Sequence, residues 1–344
     1  MHTPRILTLI GLALGTLTAA SAHHWMTAWL GLEINMISML PIIVTQKKHP
    51  RPIEAATKYF LTQAVASSIM LFSATLNAWQ TGSWGITQLD NKIACSLMIF
   101  ALSMKLAAAP AHFWLPEVVQ GANWFTMLLM LTWQKIAPIT LTYLVANHIK
   151  PEIMLLLGLL SIMMGAWGII NQTQLRKMMA YSSMVSIGWT LMIMTTSPNL
   201  GMTNAIIYTA IAFAIMALLK NNQTKSLRDL TATWNHDPAT TTILALLLLS
   251  MAGLPPLTGF MPKLLIMDSL ITHKLTLMAA TAALLSLLNL VFYLRMVYLL
   301  ISTSPPVTTQ SFALWRLQPH KSQVAAALVP AALFSMMILP TVTL

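Results

Sequence analysis

The chain has 344 residues, 57% of them hydrophobic and only 8% charged, with a mean hydropathy of +0.71. About a quarter of the residues in a soluble domain are charged, so this inventory excludes a water-exposed globular fold. The net charge of +11 would point to nucleic acid in a soluble protein. Here the basic residues fall in short loops between apolar runs, which assigns them to membrane topology and phospholipid headgroups. The single cysteine, Cys95, excludes an internal disulfide, a Cys-ligated iron–sulfur cluster and a CxxC redox pair. Most of the 26 methionines lie in the apolar runs, where the residue is adaptable packing.

Apolar runs separated by polar or Pro-containing breaks fall at 3–22, 25–44, 59–79, 93–121, 123–145, 152–170, 178–196, 202–219, 240–272, 276–301 and 323–342. Backbone groups in hydrocarbon must be satisfied within the segment, so these runs are expected to be helices. The fold class read from them is an all-α polytopic membrane protein of about eleven spans, with residues 1–344 as one membrane-embedded domain. The first run imitates a secretory signal, with Arg5 before it and Ala20-Ser21-Ala22 after it. A retained helix, with Gly11 and Gly15 as a small packing face, is preferred because the next run begins at Trp25. Gly82, Gly85 and Pro198 mark turns, and 302–322 is a long polar connector.

Alternating the loops between two sides places twelve basic residues with the N-terminus, including Lys47, Lys48, Arg51, Arg176, Lys177, Lys225, Arg228, Arg316 and Lys321. Only Lys92, Lys150 and Lys274 fall opposite. This positive-inside asymmetry puts the N-terminus on the cytoplasmic or matrix side.

Two runs are too long and carry breakers: Pro110 within 93–121, and Gly253-Leu-Pro255-Pro256 within 240–272. Proline removes a helical donor and clashes with the preceding turn. Paired interrupted spans running in opposite directions are the sequence sign of an inverted-repeat transporter with its ion path at the breaks.

Four basic residues remain inside spans: Lys105, Lys135, Lys263 and Arg295. Glu33 is the acidic candidate at similar depth. A charge at the bilayer centre costs about 2.5–3.5 kcal/mol on insertion scales. Three mid-depth lysines with Glu33 are therefore candidates for a proton relay rather than for packing. Burial disfavours an ammonium and a nearby carboxylate favours it, so a balanced lysine loads or releases a proton when its partner moves. Lysine and histidine suit this work, whereas arginine does not deprotonate. His112, just after Pro110, is a further relay candidate or a local hydrogen-bond partner. Arg295 is read as snorkelling to a surface, Asp268 as an exit-gate candidate and Glu117 as a helix-end charge. Asn35, Thr132, Gln134, Thr258 and Ser286 either hold water between the lysines or bond neighbouring helices. No motif for a nucleotide, flavin, haem or metal is visible, and no redox step is assigned to this chain.

Five segments resemble one family along nearly the whole chain: Trp29-Leu-Gly-Leu-Glu33-Ile-Asn35, Thr57-Lys-Tyr-Phe-Leu-Thr-Gln63, His112-Phe-Trp-Leu-Pro-Glu117-Val, Asn171-Gln-Thr-Gln-Leu-Arg-Lys177 and Gly253-Leu-Pro-Pro-Leu-Thr-Gly-Phe-Met-Pro-Lys263. They resemble the subunit 2 family of mitochondrial NADH:ubiquinone oxidoreductase (respiratory complex I), an antiporter-like membrane-arm family, in its animal form. The resemblance implies that Glu33, Lys105, Lys135 and Lys263 form a mid-membrane axis of charge. It also implies the mitochondrial inner membrane, a matrix-facing N-terminus, and other complex I subunits as partners, neighbouring antiporter-like subunits above all. NADH, FMN, iron–sulfur clusters and ubiquinone belong, by the same implication, to other subunits. Ser186 stands where the family has a histidine, so water has to bridge there or the path runs elsewhere. Residues 122–125 also depart from the family pattern. A stand-alone cation/proton antiporter and a structural coupling subunit that moves no proton are the alternatives.

Overall fold

The computed structural model describes residues 3–44, 50–222, 224–236, 238–255, 257–302 and the single position 330. Lys47, Lys48, Pro256, Arg316, Lys321, most of the connector 302–322 and, apart from position 330, the predicted span 323–342 lie outside the described residues.

Among the described residues the protein is helical throughout, with isolated β-bridges as the only extended pairing. The helices are α1 (Thr3–Ala20), α2 (Trp25–Ile43), α3 (Pro50–Thr81), α4 (Lys92–Leu106), α5 (Trp114–Gly121), α6 (Trp124–Leu131) and α7 (Trp133–Val145). There follow α8 (Pro151–Ile170), α9 (Leu175–Ile193), α10 (Pro198–Asn221), α11 (Leu227–His236), α12 (Pro238–Ala252), α13 (Phe260–Thr272) and α14 (Thr276–Ser302). Six stretches are long and apolar enough to cross a membrane: α2, α3, Trp124–His148, α8, α10 and most of α14. The helices display large apolar side chains outward, among them Leu17, Leu61, Trp167 and Leu284. Polytopic membrane proteins have such a surface, because hydrocarbon rather than water solvates it.

The chain divides into two compact units, residues 1–161 with 190–202, and 162–189 with 203–344. In the first, α2 packs on α1 and α3, and α3 in turn packs on α4 and α5. Leu12, Met36, Met39, Tyr59, Val118 and Met130 are part of its core. The α1–α2 contact is made by backbone. A Cβ on Gly31 would stand 2.6 Å from the Ala19 amide nitrogen, and one on Gly15 would stand 2.8 Å from the Gly31 carbonyl oxygen. Small residues permit this close approach, which replaces hydrophobic driving force in lipid. The α1–α2 turn is tied to the α3–α4 connection, where the Trp25 amide donates to the Trp84 carbonyl at 3.0 Å and the Ile86 amide to the His23 carbonyl at 3.1 Å. Gly82, at φ +71°, makes the turn that leaves α3.

The second unit packs α11, α12 and α13 against α14. Outside its helices, Gln174 and Ser226 form an antiparallel bridge, with the Leu175 amide donating to the Lys225 carbonyl and the Leu227 amide to the Thr173 carbonyl. The sequence reading missed α11, because its polar residues hide an amphipathic helix between two spans. Its start is a capping box. The Asp229 carboxylate accepts from the amides of Lys225 and Ser226, both at 2.9 Å, and the Ser226 hydroxyl accepts from the Asp229 amide at 3.4 Å.

These amides, that of Lys225 first, hold the Asp229 carboxyl below its ordinary range. A depressed carboxylate contributes stability above its unfolded pKa and loses it as pH falls through the folded one. Protease cleavage within 225–236 should therefore rise as pH drops below about 4. Asp229→Ala should show the raised cleavage already at neutral pH, with a local loss of about 1 kcal/mol. Cleavage indifferent to both changes would show that the box does not hold α11.

Candidate functional site

In the first unit the helical run interrupted by Pro110 stops at Leu106 and resumes at Trp114. The break begins before the proline, because residues preceding a proline are driven from helical geometry and the ring crowds the preceding turn. Ala107 turns left-handed at φ 58°, and the amides of Ala107 and Ala108 close the helix onto the carbonyls of Met104 and Ser103. Lys105 occupies the last turn of α4, where the helix dipole favours a cation. The Trp114 indole donates to the Met104 carbonyl at 3.2 Å and packs on Tyr59 with ring centroids 5.8 Å apart.

Lys135 stands beside a different discontinuity. The expected continuous run 123–145 breaks at Thr132, whose hydroxyl takes the Leu128 carbonyl at 2.7 Å, and Pro138 follows within α7. Lys105 and Lys135 are both buried and line one cavity, together with Asn35, Tyr59, Gln63 and Gln134. Gln134 donates to the Asn35 side-chain carbonyl at 2.9 Å, tying α7 to α2.

In the second unit α12 ends at Ala252, and α13 begins at Phe260. Gly253 takes φ +86°. Lys263 reaches back from α13 and donates its ammonium to the carbonyls of Ala252 at 3.0 Å and Met251 at 3.3 Å. These carbonyls lose their helical partners at the end of α12, so the lysine caps a broken helix. Lys263 lines a second cavity with Ser182, Ser186, Asn204, Tyr208 and Asn289.

Other candidates sit apart from these cavities. Glu33 is half-buried and close enough to Lys105 for its charge to act there, yet among the described residues it forms no ion pair with a lysine. His112 is buried, with Nδ1 3.1 Å from the Pro110 carbonyl. Asp268 and Arg295 are exposed. Glu117 is also exposed and accepts from Lys58 at 2.7 Å, while Lys58 meets Glu54 at 2.6 Å. Among the described residues no group of three or more His, Cys, Asp or Glu side chains is placed to hold a metal. The sequence reading found Asn35 and Gln134 but missed Gln63, Tyr59, Asn204, Tyr208 and Asn289. Buried amides and phenols on apolar helices were the available signal.

A Cβ at position 253 would stand 2.9 Å from Lys263 Nζ, and the left-handed backbone there disfavours any side chain. Gly253→Ala should displace Nζ from the Ala252 carbonyl at a cost of about 1–2 kcal/mol. A structure of the variant checks this, and an unmoved lysine would refute the steric role of Gly253.

Comparison with known proteins agrees with this geometry. The transmembrane family described as NADH:quinone oxidoreductase/Mrp antiporter matches residues 22–289. NADH-ubiquinone oxidoreductase chain 2 of Xenopus laevis is 45% identical, covering 96% of this chain and 95% of the relative. The chain 2 protein of Carassius auratus is 44% identical, over 95% of this chain and 92% of the relative. A chain of respiratory complex I from Thermus thermophilus superposes with a TM-score of 0.85 at 25% identity, covering 98% of this chain and 78% of the bacterial one. The chain belongs to the NADH:quinone oxidoreductase/Mrp antiporter transmembrane family, among the NADH-ubiquinone oxidoreductase chain 2 proteins.

Proposed function

We propose that this chain is a proton-translocating membrane-arm subunit of NADH:ubiquinone oxidoreductase. Its full chain forms one membrane-embedded domain of eleven spans in the mitochondrial inner membrane, with the N-terminus in the matrix. Helices α4 with α5, and α12 with α13, are the two interrupted spans of an inverted repeat. Electrons pass from NADH through FMN and iron–sulfur clusters to ubiquinone in other subunits, which are also this chain's partners. The free energy of that transfer drives changes of protonation here.

One observation supports this reading most: Lys105 and Lys135, which are buried, and Lys263, which is part-buried, each stand beside a helix discontinuity and line a cavity that also carries hydroxyls and amides. In hydrocarbon such groups bind water, and water passes protons between lysines. Lys105 and Lys135 share the first cavity, with Glu33 supplying the field of a carboxylate nearby. Lys263 serves the second, where small motions of α12 change how well the carbonyls hold the ammonium. His112 and Asp268 are secondary candidates, for proton entry and exit.

The test uses the assembled complex. Lys263→Ala and Lys105→Ala should each lower proton pumping coupled to ubiquinone reduction by roughly tenfold. NADH oxidation by an artificial acceptor should be unchanged, because no redox step is assigned to this chain. Unaltered protons per NADH in both variants would instead identify a structural coupling subunit. Transport by the isolated chain would identify a stand-alone antiporter.

A further inference from the structure

Neutral hydroxyl residues, Ser182, Ser186, Tyr208, Ser250 and Tyr293 among them, line the second cavity beside Lys263. Tyr208, on α10, is buried and lies against Ser182, Ser183 and Ser186 of α9. It lines the same cavity as Lys263. The hydroxyl of Ser186 is already committed to the Ser183 carbonyl at 2.8 Å, and the Asn204 amide is turned toward the Ser186 carbonyl at 3.4 Å. Two further lining groups point to a bound ligand: Asn289 Oδ1 and Trp189 Nε1 are buried and lack a hydrogen-bond partner among the described residues. Their residues are 3% and 1% exposed. An unpartnered acceptor and an unpartnered donor on residues that line one small cavity fit water, which offers both functions.

We propose that this cavity binds ordered water at Asn289 and Trp189, and that the Tyr208 hydroxyl relays protons between that water and Lys263. The inference rests on the proton-translocating reading above and names a carrier within it. A proton leaves Lys263 Nζ for a cavity water. The hydronium gives a proton to the Tyr208 oxygen as the phenol's own proton passes to a second water at the serine cluster. Only N–H and O–H bonds break and form, and no electron moves. The phenol ends neutral, so the relay needs no titration of tyrosine. It needs only a hydroxyl that donates and accepts at once.

Tyr208→Phe keeps the ring and removes the relay. In the assembled complex it should lower coupled proton pumping about tenfold and leave NADH oxidation by an artificial acceptor intact. The solvent hydrogen-isotope effect on pumping should rise, a change that lost packing alone would not produce. Ser186→His added to Tyr208→Phe puts a proton carrier on the same cavity wall and should restore pumping. Wild-type pumping by Tyr208→Phe overturns the proposal, as does a loss with neither an isotope change nor a rescue. If Lys263→Ala and Lys105→Ala also pump normally, the proton-translocating reading falls; if only Tyr208→Phe does, the relay alone falls. Should Tyr208→Phe fail to assemble, infrared difference spectra of the unmodified complex with labelled tyrosine decide. A turnover-dependent change in a buried tyrosine O–H supports the relay, and none overturns it.

Discussion

Carbonyl groups that lose their helical partners inside an apolar medium have to be answered by something, and at the end of α12 the ammonium of Lys263 answers two of them. The carbonyls of Ala252 and Met251 are held by the ammonium of Lys263, while the Trp114 indole joins the Ala107 amide on the Met104 carbonyl and the Thr132 hydroxyl joins its own amide on the Leu128 carbonyl. Water is too scarce in the bilayer core to do this work freely. The interruption between α12 and α13 and its lysine are therefore one arrangement. A break without a donor would cost several kcal/mol, and a lysine without carbonyl dipoles or polar neighbours would not stay charged.

Each unit contains a cavity walled by several helices, with lysine at a discontinuity and uncharged amides and hydroxyls among apolar side chains in the wall. The two differ in detail. The first has Glu33 near Lys105, and the second relies on backbone dipoles, serines and tyrosine. Lys105 thus has a carboxyl group at a distance, whereas Lys263 meets carbonyl dipoles at contact.

Much of this was legible before any coordinates. Hydropathy marked the spans, and Pro110 and Gly253 marked where helices stop, because both act on the backbone locally. Lysines in apolar runs announced themselves by their cost. The distortion at Thr132 was not legible, since a threonine in a helix usually bonds its own turn without breaking it. Helix α11 was missed because a polar window dilutes its apolar face. The cavity-lining role of Tyr208 and Asn289 depends on which helices touch, and no local pattern carries that information. Glu33 fell between these cases: its place in an apolar run was readable from the sequence, whereas its lack of a direct lysine partner among the described residues is a matter of three-dimensional spacing.

The contact between Gly15 and Gly31 bears on how force travels through the first unit. Where two backbones touch, no side chains remain to slide or re-pack, and α1 and α2 behave as a single thick beam. Asn35, whose amide nitrogen a Cβ at Gly15 would meet at 2.7 Å, belongs to that beam, and Glu33 lies on the same helix two residues after Gly31. A push on the outer face of α1 is thus delivered to the carboxylate's own helix without being absorbed on the way. For the same reason a side chain at Gly15 or Gly31 would force the two helices apart, because the seam has no room for even one extra methyl group.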